Sequence, residues 1–222
     1  PERVAQLYNM PSVEPIIGSH RLVLEGGSID TNGSGILLTT EECLLSEVQQ
    51  RNPGITKEQL EQAFAQYLGI EQVLWLNRGC AGDDTHGHVD DITRFVGPNT
   101  ILTVVEENTA DENHLPLAEN LERLHAARNL RSGNSKPEPF EIRTLPMPAP
   151  VLFEGQRLPA SYANFYIANS FVLVPTFNDP NDRIALNTLA SCFPDRTVTG
   201  IHCTDLIWGL GALHCLTQQE PA

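Results

Sequence analysis

The chain has no CxxC pair and an odd number of cysteines, five in all: Cys43, Cys80, Cys192, Cys203 and Cys215. That usage argues against a disulfide framework and for a reducing, cytoplasmic setting. No stretch approaches the ~20 apolar residues of a membrane-spanning helix. The opening residues, PERVAQLYNM, carry neither the basic nor the apolar region of a secretory signal. They also lack a starting methionine, so the start of the natural protein is expected to precede Pro1. Basic side chains are scarce, with 14 Lys and Arg against 28 Asp and Glu and a formal charge of −14. So acidic a surface repels nucleic acid and anionic membranes, and it suits a cationic substrate or simply solubility. Low-complexity segments are absent.

What is present fits a soluble globular protein, with 41% hydrophobic and 19% charged residues over 222 positions. A chain of that length buries a core without staples. One order of elements recurs about every 70 residues, longer than the usual solenoid period. In the first pass "HRLVLEGG" alternates like a strand, "TNGSG" carries an Asn-Gly turn, and "ILLTT" is its hairpin partner. "TKEQLEQAFAQYLG" reads as a helix with a Thr56/Gln59 capping box, an apolar face of Leu60, Ala63, Phe64, Tyr67 and Leu68, and a stop at Gly69. "QVLWL" closes the unit as a strand, with Trp75 in the core. The second pass runs "ITRFV", "ILTVV", a helix around Leu117, Leu121 and Leu124, then "FEIRTL". The third runs "NFYIAN", "FVLVPTF", a helix capped by Asn178 or Asp179 that buries Leu186, Leu189, Ala190 and Phe193, then "TVTGIH". "LIWGLGALHCLTQQ" resembles the opening strand of a further unit. The proline-rich run 136–150 reads as a surface connection. Radial packing of such ββαβ units would bury the helix faces and protect the strand edges.

The densest chemistry lies in "AGDDTHGHVDD", residues 81–91, with two histidines and four aspartates. Its H-x-H-x-D pattern, His86, His88 and Asp90, overlaps the metal loop of metallo-β-lactamase-type hydrolases, and imidazole and carboxylate are suitable zinc ligands. However, Asp91 stands where that loop carries a histidine, and the remaining histidines offer no second ligand pair of recognisable spacing. A covalent reading uses Cys215 as nucleophile, His88 as acid/base and Glu25 as the carboxylate that orients the imidazole. Asp90 would grip a cation. Gly209 and Gly211 permit close backbone approach to a ligand, and Trp208 beside them is a candidate pocket wall. The blander readings are a solvated loop for 81–91, a core thiol for Cys215 like those of Cys43, Cys80, Cys192 and Cys203, a turn position for His86, and loop support for Asp83 and Asp84. Arg21, Arg78 and Arg94 read as salt-bridge residues.

Four motifs, "EGGSIDTNGSGILLTTEECLL", "WLNRGCAGDDTHGHVDDITRFV", "SYANFYIANSFVLVPTFNDPND" and "GALHCLTQQ", resemble in order those of the agmatine deiminase and bacterial peptidyl-arginine deiminase family of guanidino-group-modifying enzymes. The resemblance implies a pseudosymmetric α/β propeller, the pentein fold. Residues 1–222 would form a single, N-terminally incomplete catalytic domain holding about three units and a remnant. It implies Cys215 as nucleophile, His88 as acid/base, Glu25 as its supporting carboxylate and Asp90 as a guanidinium-binding residue, with no metal or other cofactor. It implies hydrolysis of a C–N bond of agmatine to N-carbamoylputrescine and ammonia, a step of putrescine and polyamine biosynthesis. Peptidyl or free arginine is the alternative substrate, and an inactive truncated form the alternative state. The expected partners are a small cationic guanidino substrate and a second copy of the chain. Leu210 stands where the family usually has glycine, Asp91 where asparagine is common, and an N-terminal W-x-R-D segment is absent from a chain about two-thirds of the family's length.

Overall fold

The computed structural model describes residues 2–131 and 136–220. Three mixed three-stranded sheets among them share one topology. In the first, β1 (Asp30–Thr31) pairs antiparallel with β2 (Ile36–Thr40), helix α1 (Lys57–Leu68) crosses over, and β3 (Gln72–Leu76) returns parallel to β2. The second holds β4 (Thr93–Phe95), β5 (Thr100–Val105), α2 (His114–Ala126) and β6 (Glu141–Pro146). The third holds β7 (Tyr166–Ile167), β8 (Phe171–Thr176), α3 (Asn181–Cys192) and β9 (Thr197–His202).

Local chemistry explains these elements. Thr56 and Gln59 complete the capping box of α1, and Gly69 ends the helix at φ 67°. All five residues of β2 are buried, as a central strand covered on both faces requires. Its alternation sends Leu37 toward Leu60 and Phe64 of α1, whereas Ile36 and Leu38 join a larger core with Leu74, Leu76, Val172 and Val174.

Several expectations need correction. The first strand is Asp30–Thr31 rather than "HRLVLEGG", of which His20–Arg21 forms only a short hairpin with Ile16–Ile17. Asn52 takes both backbone groups of Val23 through its side chain at 2.8 Å, which diverts that segment from any sheet ladder. "LIWGLGALHCLTQQ" is a 3-10 turn, Leu206–Gly209, followed by further turns, because Leu210 adopts φ 63°. The proline-rich run is not a surface connection throughout: it contains the expected strand "FEIRTL", found as Glu141–Pro146 with Leu145 fully buried. Ala185 replaces Ala190 on the buried face of α3, and the helix starts at Asn181, whose N–H is held by Asp179 Oδ1 at 2.8 Å. Leu68 is exposed, Cys192 is only partly buried, and Trp75 is half-buried with its indole N–H on Glu61.

Candidate functional site

Three turns precede three sheet-opening strands and meet one another. Gly26–Ser28 leads toward β1, Val89–Asp91 leads into β4, and Tyr162–Asn164 approaches β7. The contact between the first two depends on Gly27. A Cβ there would lie 2.5 Å from His88 Nδ1 and 2.8 Å from Asp90 Oδ1, so any side chain would displace both. The segment after Leu206–Gly209 then lays its turn against Asn164. His214 N–H donates to Asn164 Oδ1 at 2.9 Å, with Cys215 N–H 3.3 Å from the same oxygen. Gly211 is required in that turn because a Cβ would stand 2.7 Å from Cys215 Cβ. Gly209 meets no such constraint, whereas Leu210 takes the left-handed conformation at φ 63°, costing roughly 1–2 kcal/mol for a side chain.

A cavity of about 340 Å³ opens at this junction, and Glu25, His88, Asp90, Gly209, Gly211 and Cys215 all line it. Trp208 is the exception among the expected site residues: it lies outside that lining, 60% exposed, with its ring on Phe153 at 4.5 Å. His88 Nε2 is 3.6 Å from Glu25 Oε2, and its Nδ1 is 3.9 Å from Asp90 Oδ1. Glu25 is fixed through its other oxygen by Arg51 Nε at 3.0 Å, and Arg51 also donates to the Thr85 carbonyl. Asp83 holds the loop from within, accepting the Gly87 and His88 N–H groups at 2.8 and 2.9 Å. Asp84 makes no such bond and lines the cavity, so only Asp83 supports the loop. His86 adopts φ 63° in the turn and points to Glu42 at 3.9 Å.

Two groups of side chains bring three potential metal-ligating atoms together among the described residues: Glu25, Cys43 and His88, and Asp90, Asp91 and Cys215. His86 belongs to neither, so the H-x-H-x-D ligand set does not converge. Burial pushes the Cys43 thiol up to about 12, which favours the neutral thiol over a ligating thiolate.

Five buried side-chain nitrogen or oxygen atoms have no partner among the described residues, and three of them belong to this cavity: Glu25 Oε2, His88 Nε2 and Asp90 Oδ1. Buried polar atoms are ordinarily bonded, so this concentration marks where a polar ligand would bind. Cys215 is exposed as a residue, but its thiol is enclosed, with Asn164 Nδ2 at 3.0 Å and Asp90 Oδ2 at 3.6 Å. Enclosure raises the thiol well above its ordinary value, and Asp91 and Asp90 raise it further against the opposing Asn164 hydrogen bond. Asp91 is itself held far above the usual carboxylate range, chiefly by burial and then by Asp90.

Asn164, His214 and Arg51 were not assigned by sequence reasoning. Asn164 is fully buried and joins Asp90, Asp91 and Cys215 through one amide nitrogen, at 3.2, 2.9 and 3.0 Å. Its place at the opening of the third unit, equivalent to "EGG" and "GHVDD", was the available signal. His214 was marked only by adjacency to Cys215, and nothing local marked Arg51.

The family model for the Porphyromonas-type peptidyl-arginine deiminase matches residues 1–221. A protein of Legionella pneumophila, named provisionally as an agmatine deiminase, is 39% identical over 201 residues, covering 90% of this chain and 56% of its own. Agmatine deiminase from Campylobacter jejuni, solved as a cysteine-to-serine variant with substrate bound, matches with a TM-score of 0.80 at 35% identity, over 89% of this chain and 56% of that one. The agmatine deiminase of Enterococcus faecalis matches with a TM-score of 0.86 at 31% identity, over 99% and 62%. The chain thus spans little more than half the length of these relatives, and its mixed α/β fold is theirs. It belongs to the Porphyromonas-type peptidyl-arginine deiminase family.

Proposed function

We propose that this site hydrolyses the guanidinium group of agmatine to N-carbamoylputrescine and ammonia, with residues 1–222 acting as one catalytic domain. On this reading the three units and the turn-rich segment 206–217 belong to an α/β propeller whose axis carries the site. The observation that carries the reading is the set of unpartnered buried atoms, Glu25 Oε2, His88 Nε2 and Asp90 Oδ1, in the cavity lined by Cys215. A guanidinium is planar, cationic and donor-only, and carboxylate oxygens without partners complement it.

Cys215 supplies the nucleophile. Its thiol is raised by enclosure and by Asp91 and Asp90, so the thiolate needs a neighbouring cation to form readily. A guanidinium against Asp90 offsets the negative charge that opposes ionisation, and the thiol gives its proton to His88 where its target is already bound, leaving the thiolate and a protonated imidazole. Sγ then bonds to the central guanidine carbon. His88 gives a proton to the departing nitrogen, and ammonia leaves as the C–N bond breaks. His88 next takes a proton from water, whose oxygen attacks the thiouronium carbon. The C–S bond breaks and returns its electron pair to Cys215, which His88 reprotonates, and the carbon's hydroxyl loses its proton to solvent to give the ureido product. Glu25, anchored by Arg51, is positioned to orient the imidazole. No step calls for a metal or another cofactor.

Agmatine is favoured over free arginine by the cavity wall. Among the described residues no lysine or arginine lines it, so the α-carboxylate of free arginine would meet no cation, whereas agmatine brings only its primary ammonium into a wall that includes Asp84. Peptidyl-arginine, which brings no free carboxylate at its arginine, is the alternative favoured by the family description. Ammonia release from agmatine, free arginine and an arginine peptide distinguishes the three, with agmatine expected to be fastest. Equal rates on agmatine and free arginine would defeat the substrate assignment.

A further inference from the structure

Asp90 is fully buried, yet its two oxygens are treated differently. Oδ2 lies 2.6 Å from His214 Nδ1, 3.2 Å from Asn164 Nδ2 and 3.6 Å from the Cys215 thiol, whereas Oδ1 has no hydrogen-bond partner among the described residues, with His88 Nδ1 nearby at 3.9 Å. His214 is itself 7% exposed, and its backbone is fixed because its N–H reaches the side-chain oxygen of Asn164 at 2.9 Å and the carbonyl at 3.1 Å. On the far side of the ring, Gln219 Nε2 stands 3.2 Å from His214 Nε2. With its amide nitrogen turned to the ring, Gln219 complements an accepting Nε2, the arrangement in which Nδ1 carries the N–H toward Asp90.

We propose that His214 is a positioning residue whose Nδ1–H, oriented by the Gln219 amide behind the ring, pins Oδ2 of Asp90 so that Oδ1 alone is presented to the substrate. This rests on the guanidinium-binding role proposed above for Asp90. Without the imidazole, Oδ2 keeps only the longer contacts to Asn164 and the Cys215 thiol, and the carboxylate can rotate about χ2 within its pocket. Misplacement by a fraction of an ångström to one ångström is enough to cost about 10²-fold in rate.

Two measurements test the proposal. Long-range ¹H–¹⁵N NMR of the histidine-labelled full chain reports the ring proton directly and needs no turnover. The Nδ1–H tautomer is expected, and an Nε2–H tautomer would overturn the proposal. In parallel, agmatine turnover is measured for His214→Leu and His214→Asn, each normalised to its alkylatable Cys215. Asparagine can place an amide N–H near the Nδ1 position, and leucine cannot. His214→Leu should raise KM and lower kcat/KM by roughly 100-fold per active site, with His214→Asn recovering most of the loss. A purely structural role would reduce the number of active sites at unchanged KM, and that result, or an asparagine variant as impaired as the leucine one, refutes positioning. Lack of turnover by the unaltered chain would instead count against the functional reading, with the tautomer still deciding whether Oδ2 is pinned as stated.

Discussion

Asp30 and Asp90 are both shielded aspartates that bridge neighbouring sheets, but their surroundings are opposite in kind. Asp30 Oδ1 accepts from Arg94 Nε at 2.8 Å and Oδ2 from the Phe95 N–H at 2.6 Å. Arg94 in turn donates to the Phe165 carbonyl at 2.8 Å and lies over the Phe165 ring at 4.8 Å. Every charge there is answered, and the network ties the openings of all three sheets together. Asp90 leaves one oxygen without a hydrogen bond, near a histidine nitrogen and a glutamate oxygen that face each other at 3.6 Å and have no hydrogen bond either. Buried ions with complete partners serve architecture, whereas buried ions kept incomplete are reserved for something that arrives later.

The contrast can be broken from either side. The largest effect belongs to the chemical cluster. Cys215→Ala should remove ammonia release from agmatine, and His88→Ala should lower it by about 10²–10⁴-fold. Both should leave the urea midpoint nearly unchanged. Asp30→Ala should do the reverse. It strands the Arg94 guanidinium, so urea unfolding should lose about 3–5 kcal/mol, while the folded fraction keeps its KM for agmatine.

Asp90→Asn sharpens the comparison through sign. Turnover should collapse because the guanidinium loses its charged partner. The Cys215 thiol should move the other way. A negative charge 3.6 Å from Sγ holds the thiol up, so its removal lowers the thiol value and raises the thiolate fraction at neutral pH. Iodoacetamide alkylation at pH 7 should become severalfold faster than in the unaltered chain, for which the rate should still be climbing above about pH 9. Equal alkylation rates in the two proteins would show that Asp90 does not govern the thiol. The smallest effect lies far from both networks: Thr56→Ala removes the cap of α1 and should cost about 1 kcal/mol with no change in turnover.

Much of this was legible in the chain because it depends on local rules. The capping box and Gly69 set the limits of α1, and "ILLTT", "ILTVV" and "FVLVPTF" read as the strands β2, β5 and β8. Where local alternation competed with a long-range side-chain bond, it failed: Val23 lies in an alternating pattern, yet Asn52, well along the chain, takes its backbone groups. The site divides the same way. Cys215, His88, Glu25 and Asp90 stand in recognisable motifs, and the cavity gathers them. Asn164 and Arg51 act through contacts formed only once distant turns meet: the unit repeat marks the place of Asn164 but not its role, and no pattern marks Arg51. Trp208 looked like a pocket wall by adjacency, but the turn at Leu210 directs it onto Phe153.

The central claim is that Cys215 bonds to a guanidinium carbon held against Asp90. Acid-quenched mass spectrometry of the chain mixed with agmatine tests it most directly. An adduct equal to agmatine less one ammonia is predicted on the peptide containing Cys215, appearing before steady state and missing in Cys215→Ala. Ammonia release by the unaltered chain with no adduct, or with the adduct on another residue, would contradict it.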